Sequence, residues 1–275
     1  MTSVEDSLLQ INLGFLRQHV YDGSGIVLDT EKQYLLEARL APILRELGLT
    51  SLNDLCALLR STQESPLHHR VVEAMTTNET YFFREPAQYE SVRNCILPEL
   101  MELRRASRRL SFWSAAASTG QEAYSIGMML LEMGLDDWNI DILGTDLSPR
   151  VLDRAQLGRY SQLEVNRGLP ATLLLKYFRR AGLEWELKKE VREMARFRSL
   201  DLRSSMQSLG PFDVVFCRNV LIYFDLPTKQ HILEGIHGSL FRGGCLMLGT
   251  TEAGLAPGNR YSRETVGNTV VYRAL

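Results

Sequence analysis

The sequence predicts an α/β protein: a mostly parallel sheet with helices on both faces, preceded by an all-helical amino-terminal region. Three observations carry this. From residue 110 onward, apolar runs of strand length alternate with helical segments, the pattern of a parallel sheet. The first eighty or so residues place apolar side chains at helical spacing, with no strand pattern between them. Residues 158–198 interrupt the alternation with a short antiparallel pattern of their own. The expected organisation is a helical domain over 1–75, a linker over 76–90 and an α/β domain over 91–275, with a small β-subdomain inserted at 158–198.

In the helical region, Thr30 with Gln33 makes a capping box, and Leu35, Leu36, Leu40, Ile43, Leu44 and Leu47 follow at helical spacing. Gly48 stops that helix, and Ser51 opens another with the stripe Leu52, Leu55, Leu58, Leu59. By composition YDGSG, residues 21–25, is the turn before them. Lys32, Arg39 and Arg45 share the outer face of the second helix. Such a face is either simply solvated or a docking surface for an acidic partner.

In the α/β region, residues 110–115 form a strand and 121–133 an amphipathic helix; 139–144 form a second strand and 149–156 a second helix. Residues 212–217 and 245–249 are further strands, separated by a helix over 228–240. Residues 261–272 close the chain as a hairpin about Gly267-Asn268. The insert is expected from Tyr160, Tyr177-Phe178, the alternation of Leu183, Trp185 and Leu187, and then Met194 and Phe197.

Bulk properties narrow the function. A hydrophobic fraction of 45%, a charged fraction of 23% and a net charge of −2 describe an ordinary globular chain and give no global reason to expect nucleic acid. The start, MTSVEDSLLQ, has early acids and no basic segment of a secretory signal, and no apolar run is long enough to span a bilayer. Cys56, Cys95, Cys217 and Cys245 form no CxxC pair, and the five histidines form no HExxH motif. The expectation is a reduced, cytoplasmic protein without a metal.

The chemistry centres on Trp113–Tyr124, WSAAASTGQEAY. Small residues at a strand-to-helix turn, Ala115 among them, let backbone N–H groups approach a ligand at a helix N-terminus, although they also serve tight packing. Asp146 ends the next strand in LGTDLS, 26 residues after Gly120. A carboxylate there accepts from both hydroxyls of a ribose; the alternative is a helix cap, a task open to Ser148. The turn lacks GxGxxG, which disfavours a dinucleotide. S-adenosylmethionine needs no phosphate cradle, and Glu122 can hold its ammonium or merely complement the helix dipole. Upstream, TTNETYFFREP (Thr76–Pro86) sets Arg84 among three aromatics, where a partly desolvated charge calls for an anionic partner. Downstream, FDVVFCRNVLIYFD puts Arg218, Asn219 and Tyr223 just past a core strand, with a core aromatic as the alternative for Tyr223.

With these residues in view, the sequence resembles the bacterial chemotaxis receptor methyltransferases, the protein-glutamate O-methyltransferases. The motifs TTNETYFFRE, WSAAASTGQEAYS, GTDLS, FDVVFCRNVLIYFD and GGCLMLGTTE occur in order over nearly the whole chain. The resemblance implies a class I S-adenosylmethionine-dependent methyltransferase domain, with a seven-stranded sheet and closing antiparallel hairpin, behind a helical domain. It implies cofactor contacts from Asn78, Thr80, Arg84, Glu122, Asp146, the pair Asp201-Leu202 beside the adenine, Arg218 and Asn219. It places Arg84 and Tyr223 near the transferred methyl. The family usually has Gly at 116, Glu at 121, Pro at 123 and Asn at 201, where this chain has Ala116, Gln121, Ala123 and Asp201. The stretch Arg180–Glu184 is short beside relatives that bind a receptor tether peptide, which implies independence from such a tether. The implied function is methyl esterification of glutamates on the cytoplasmic helical domain of chemoreceptors, yielding S-adenosylhomocysteine, by a cytoplasmic enzyme recruited to receptor arrays without membrane insertion. The alternatives are a cofactor-binding sensor with little turnover and a small-molecule carboxyl methyltransferase.

Overall fold

A computed structural model describes residues 2–62 and 65–275, and their side chains except those of residues 2–6 and Lys32. The chain divides into two units, Met1–Thr77 with Tyr223–Asp225, and Asn78–Ile222 with Leu226–Leu275.

Among its described residues the first unit holds four α-helices: α1 (Thr2–Ser24), α2 (Gln33–Leu47), α3 (Leu52–Ser61) and α4 (Pro66–Met75). Their inward stripes meet in one core that includes Leu13, Leu16, Leu36, Leu40, Leu55 and Val71. Gly48, at φ 66°, ends α2; Leu49 N bonds back to Leu44 O and Gly48 N to Arg45 O, a Schellman stop. Ser51 and Asp54 form a reciprocal capping box on α3.

Three expectations for this unit are corrected. YDGSG is not a turn as a whole: α1 runs through Ser24, whose Oγ bonds to Val20 O, and only Gly25 (φ 74°) leaves the helix. Gly23 serves packing, since a Cβ there would lie 2.6 Å from Val72 Cγ2. Thr30 and Gln33 form no capping box; Thr30 opens a 3-10 turn, Thr30–Lys32, and the Gln33 side chain donates to Glu37. Arg39 is not part of a free basic face, because its guanidinium donates to Met75 O, Thr76 O and Thr77 Oγ1 at the C-terminal end of α4. Arg45 is exposed, and the side chain of Lys32 lies outside the described residues.

The second unit opens with α5 (Pro86–Ser91), a π-helical turn over Val92–Ile96, and α6 (Leu97–Leu103). Then come β1 (Arg109–Ala115), α7 (Gln121–Glu132), β2 (Asn139–Asp146) and α8 (Pro149–Leu157). The insert contributes β3 (Arg159–Ser161), α9 (Gln162–Asn166), α10 (Ala171–Tyr177), β4 (Phe178–Ala181), β5 (Glu184–Leu187) and α11 (Lys189–Arg192). The chain returns through β6 (Ala195–Ser199), β7 (Phe212–Cys217), α12 (Leu226–Gly238), β8 (Leu240–Leu248), β9 (Tyr261–Val266) and β10 (Thr269–Ala274).

Seven strands form one sheet in the order β6-β2-β1-β7-β8-β10-β9. The first five run parallel, and β10 and β9 close the sheet antiparallel. Leu110, Phe112, Ile142, Val214, Phe216 and Met247 share one core with α5, α6 and α7. The chain order reverses at β1, which has β2 on one side and β7 on the other, so the loops after β1 and β7 flank the switch point where such sheets bind ligands.

Three differences from the sequence pattern have physical causes. Helix α7 is not amphipathic in place: residues 123–130 are all buried, because the sheet core covers one side and the insert core the other. The antiparallel sheet of the insert, ordered β3-β5-β4, is complete by Leu187, and β6 pairs parallel with β2 as an edge of the large sheet. Strand β8 begins at Leu240, before the glycine pair; Gly243 (φ 78°) sits in an irregular stretch against β7, and the ladder resumes at Cys245.

Candidate functional site

Backbone strain marks a place in the second unit. Six residues other than glycine have positive φ among the described residues, and five of them are Phe83, Glu85, Ala116, Ser118 and Asn219. Each such conformation costs about 1–2 kcal/mol and persists where the surroundings enforce it, commonly at ligand sites. These five sit in the 78–85 segment, the loop after β1 and the loop after β7.

In the loop after β1, Ala116 has φ 62° and Ser118 φ 50°. Ala117 N bonds to Thr145 O at 2.8 Å, and Ser118 N to Asp146 Oδ2 at 2.9 Å. Asp146 also accepts from Ser148 N at 3.0 Å, while Ser148 Oγ accepts from Val151 N as the cap of α8. The capping task thus falls to Ser148, and Asp146 orders the two loops beside it. Ala115 is buried in the ladder between Thr145 and Cys217. Ser118 Oγ donates to Asn78 O at 2.8 Å, which ties this loop to the upstream segment.

The upstream segment is held by the insert. Phe82 is fully buried, edge-on to Tyr160 (5.0 Å) and Phe178 (5.7 Å). Arg167 lies 4.3 Å over the Tyr81 ring and pairs with Glu79 at 2.6 Å. Gly168 leaves no room for a side chain, because a Cβ there would stand 2.0 Å from Phe82 O. Thr80 and Arg84 are half-buried. Arg84 donates to Glu79 O at 3.1 Å and has no carboxylate at ion-pair distance among the described residues.

The buried charges gather around Arg218 instead. Its Nη1 donates to Glu122 Oε2 at 2.9 Å, its Nη2 to Arg84 O, and its guanidinium lies 5.6 Å from the Tyr89 ring centre. Glu122 also accepts from Ser114 Oγ at 2.7 Å. Burial pushes the Glu122 carboxyl above its ordinary range, further than Arg218 and Ser114 pull it down. Burial works against the Arg218 charge too, but Glu122 and its neighbours outweigh it and hold the guanidinium firmly protonated.

Two carboxylates absent from the sequence-based site complete the picture. Glu85 accepts from Asn219 Nδ2 (3.2 Å), Thr250 N (3.1 Å), Thr250 Oγ1 (2.8 Å) and Gln88 Nε2 (2.8 Å). Burial raises its carboxyl, but Thr250, Arg218 and Asn219 together bring it below the ordinary value. Glu252 is fully buried and, among the described residues, accepts only from backbone N–H groups, those of Asn219, Val220, Ile222 and Gly249. The one signal for either in the sequence is an acid beside apolar residues: Glu85 just before the helix-opening Pro86, and Glu252 just after an apolar strand.

Three predicted residues have other surroundings. Asp201 follows β6 and is gripped by Arg203, whose Nη2 lies 2.7 Å from Oδ2; Leu202 beside it is buried. Tyr223 belongs to the helical unit, where its ring packs on the core and its carbonyl accepts from Val27 N at 2.9 Å.

Fold and loops together define an α/β protein whose strained loops gather at the switch point of its sheet, the place where sheets of this kind bind ligands. The chain belongs to the CheR methyltransferase family: residues 78–269 match the family's SAM binding domain and residues 11–76 its all-alpha domain. It is 41% identical to chemotaxis protein methyltransferase 1 of Pseudomonas aeruginosa, over 91% of this chain and 93% of that one. It is 38% identical to chemotaxis protein methyltransferase Cher2 of Pseudomonas putida, over 96% and 98% of the two chains. A third relative, chemotaxis protein methyltransferase 1 of Vibrio cholerae, is 38% identical over 83% and 84%.

The cofactor is S-adenosylmethionine, and the residues present fit it. The site offers carboxylates at Asp146 and Glu122 for hydroxyl and ammonium donors. Asn219 Oδ1 is buried without a hydrogen-bond partner, as an acceptor reserved for a ligand donor would be.

Proposed function

We propose that the chain transfers a methyl group to glutamate side chains of chemoreceptors, forming methyl esters that serve sensory adaptation in chemotaxis. The observation that carries this is Arg84: a half-buried guanidinium with no carboxylate partner among the described residues, on a residue whose backbone carbonyl Arg218 grips. In this reading Asn78, Thr80, Arg84, Ala115, Glu122, Asp146, Asp201, Leu202, Arg218 and Asn219 hold the cofactor, and Arg84, beside the transferred methyl, also positions the substrate carboxylate. Tyr223 enters from its place in the sequence alone, with a smaller positioning role. Bound S-adenosylmethionine supplies a methyl group activated by a sulfonium. A glutamate (reference pKa about 4.3) is already ionised at neutral pH, so the protein needs no general base. Charge is neutralised along the reaction, which makes water exclusion and in-line alignment the main contributions of the residues. The two-residue turn Gly182-Leu183 between β4 and β5 supports independence from a receptor tether peptide.

The test is transfer of labelled methyl from S-adenosylmethionine to membranes rich in chemoreceptors, with Arg84→Ala as control. Base-labile label on receptor bands, lost in the control, is the expected result. Label on free carboxylic acids alone would replace the receptor with a small-molecule substrate, and cofactor binding without any transfer would leave a sensor.

A further inference from the structure

The buried carboxylate of Glu252 plays no part in the reaction described above, yet its surroundings are specific. Both oxygens are used: Oε2 accepts from Asn219 N (2.7 Å) and Gly249 N (2.9 Å), and Oε1 from Val220 N (2.9 Å) and Ile222 N (3.2 Å). No cation stands at ion-pair distance among the described residues. Three of the four donors belong to the loop after β7, and without Glu252 those part-buried N–H groups would lose their shared acceptor, at a cost to the loop's conformation. The same loop contains Asn219 at φ 57°, a conformation that needs outside support.

We infer that Glu252 is a positioning residue for the cofactor site, acting through Asn219. It fixes the backbone of Asn219, while Glu85 fixes the side chain by accepting from Nδ2. Held from both ends, Asn219 keeps Oδ1 buried and without a partner. The turn Thr250–Glu252 joins the two clamps, since Thr250 donates to Glu85 through both its N–H and its hydroxyl. Gly249 is the only residue that fits there: a Cβ would lie 2.7 Å from both Asn219 Nδ2 and Glu252 Oε2. Replacing Glu252 by Gln would turn an amide donor towards two backbone donors and release half of the clamp. The inference rests on the proposal that Asn219 contacts the cofactor.

Calorimetric titration of S-adenosylhomocysteine into wild type, Glu252→Gln, Asn219→Ala and the double variant tests it. Thermal melts check that each is folded, and Glu252→Asp replaces Glu252→Gln if the latter is not. Each single variant should weaken binding by about 10-fold or more, as expected when a buried hydrogen-bonding group loses its partner. The double variant should be no weaker than the worse single variant by more than about 3-fold, because both act on one contact. Losses that multiply would overturn the inference, since a general loss of stability does not vanish when Asn219 is gone. Full affinity in Glu252→Gln beside weakened Asn219→Ala would defeat the inference alone. Full affinity in Asn219→Ala would defeat the site assignment on which it stands.

Discussion

The two halves of the crest of the sheet are built in different ways. Past β1 and β2, the chain uses small residues in strained backbone, Ala116 and Ser118, tied by main-chain bonds to Thr145 and Asp146. Past β7 and β8, it uses side chains: Arg218, Asn219 and Glu252, joined by Glu85 of the 78–85 segment, form a network in which Arg218 Nε and Asn219 Oδ1 alone are buried without a partner among the described residues. The first half gains room for a ligand by keeping side chains short. The second accepts the desolvation of charges in return for fixed donors and acceptors. Shortening a side chain should therefore be tolerated at the small residues of the first half and felt strongly in the second.

The largest expected effect is on Arg218. Arg218→Ala leaves Glu122 buried without its cation, so unfolding free energy should fall by about 3–5 kcal/mol in urea melts. Adding Glu122→Gln should recover part of that loss. Equal stability of the single and double variants would show that the pair is not coupled. Next comes Arg84→Ala, which should lower turnover by about 100-fold, the scale of losing one donor aimed at the reacting group, with little change in melting temperature.

A sharper contrast compares two residues of nearly equal backbone conformation. Ala116→Gly relieves strain at φ 62° and removes a methyl group, so affinity for S-adenosylhomocysteine should hold or rise in calorimetry. Asn219→Gly relieves similar strain at φ 57° but deletes the amide, and should lose about 10-fold. Matching outcomes would erase the distinction between the halves.

The smallest effect is in pH dependence. Glu85 sits below its ordinary value, so its contribution to stability is present above about pH 4.3 and is lost as pH falls through its lower folded value. Glu122 sits above its ordinary value, so the folded state holds the extra proton, and stability falls as pH rises from about 4.3 through the raised folded value. Stability of wild type minus that of Glu85→Gln, followed against pH, should rise with pH in the acid range. The same difference for Glu122→Gln should fall at higher pH.

The halves also differ in how legible they were. The strand–turn–helix of WSAAASTGQEAY and the acid of LGTDLS are local patterns, and alternation with length suffices to place them at the switch point. The residues Arg218 and Asn219 were visible past their strand, but the reason for their rigidity was not. Glu85 lies 134 residues from Asn219 and Glu252 lies 33 from it, and nothing in either local sequence says which amides those carboxylates will meet. The sign of φ at Ala116, Ser118 and Asn219 was equally hidden, because tertiary contacts impose it on residues that rarely choose it. Arg39 shows the converse: its spacing put it on an outer helix face, but three bonds to the end of α4 engage it.

The central claim is that the strained loops past β1 and β7, with the 78–85 segment and the loop past β2, are the cofactor site. Hydrogen–deuterium exchange with and without S-adenosylhomocysteine tests it most directly. Protection should appear in peptides covering 78–85, 114–124, 144–148 and 216–222, and be absent from the β9–β10 hairpin. Protection confined to other segments, with those loops unchanged in a ligand-saturated sample, would contradict the account.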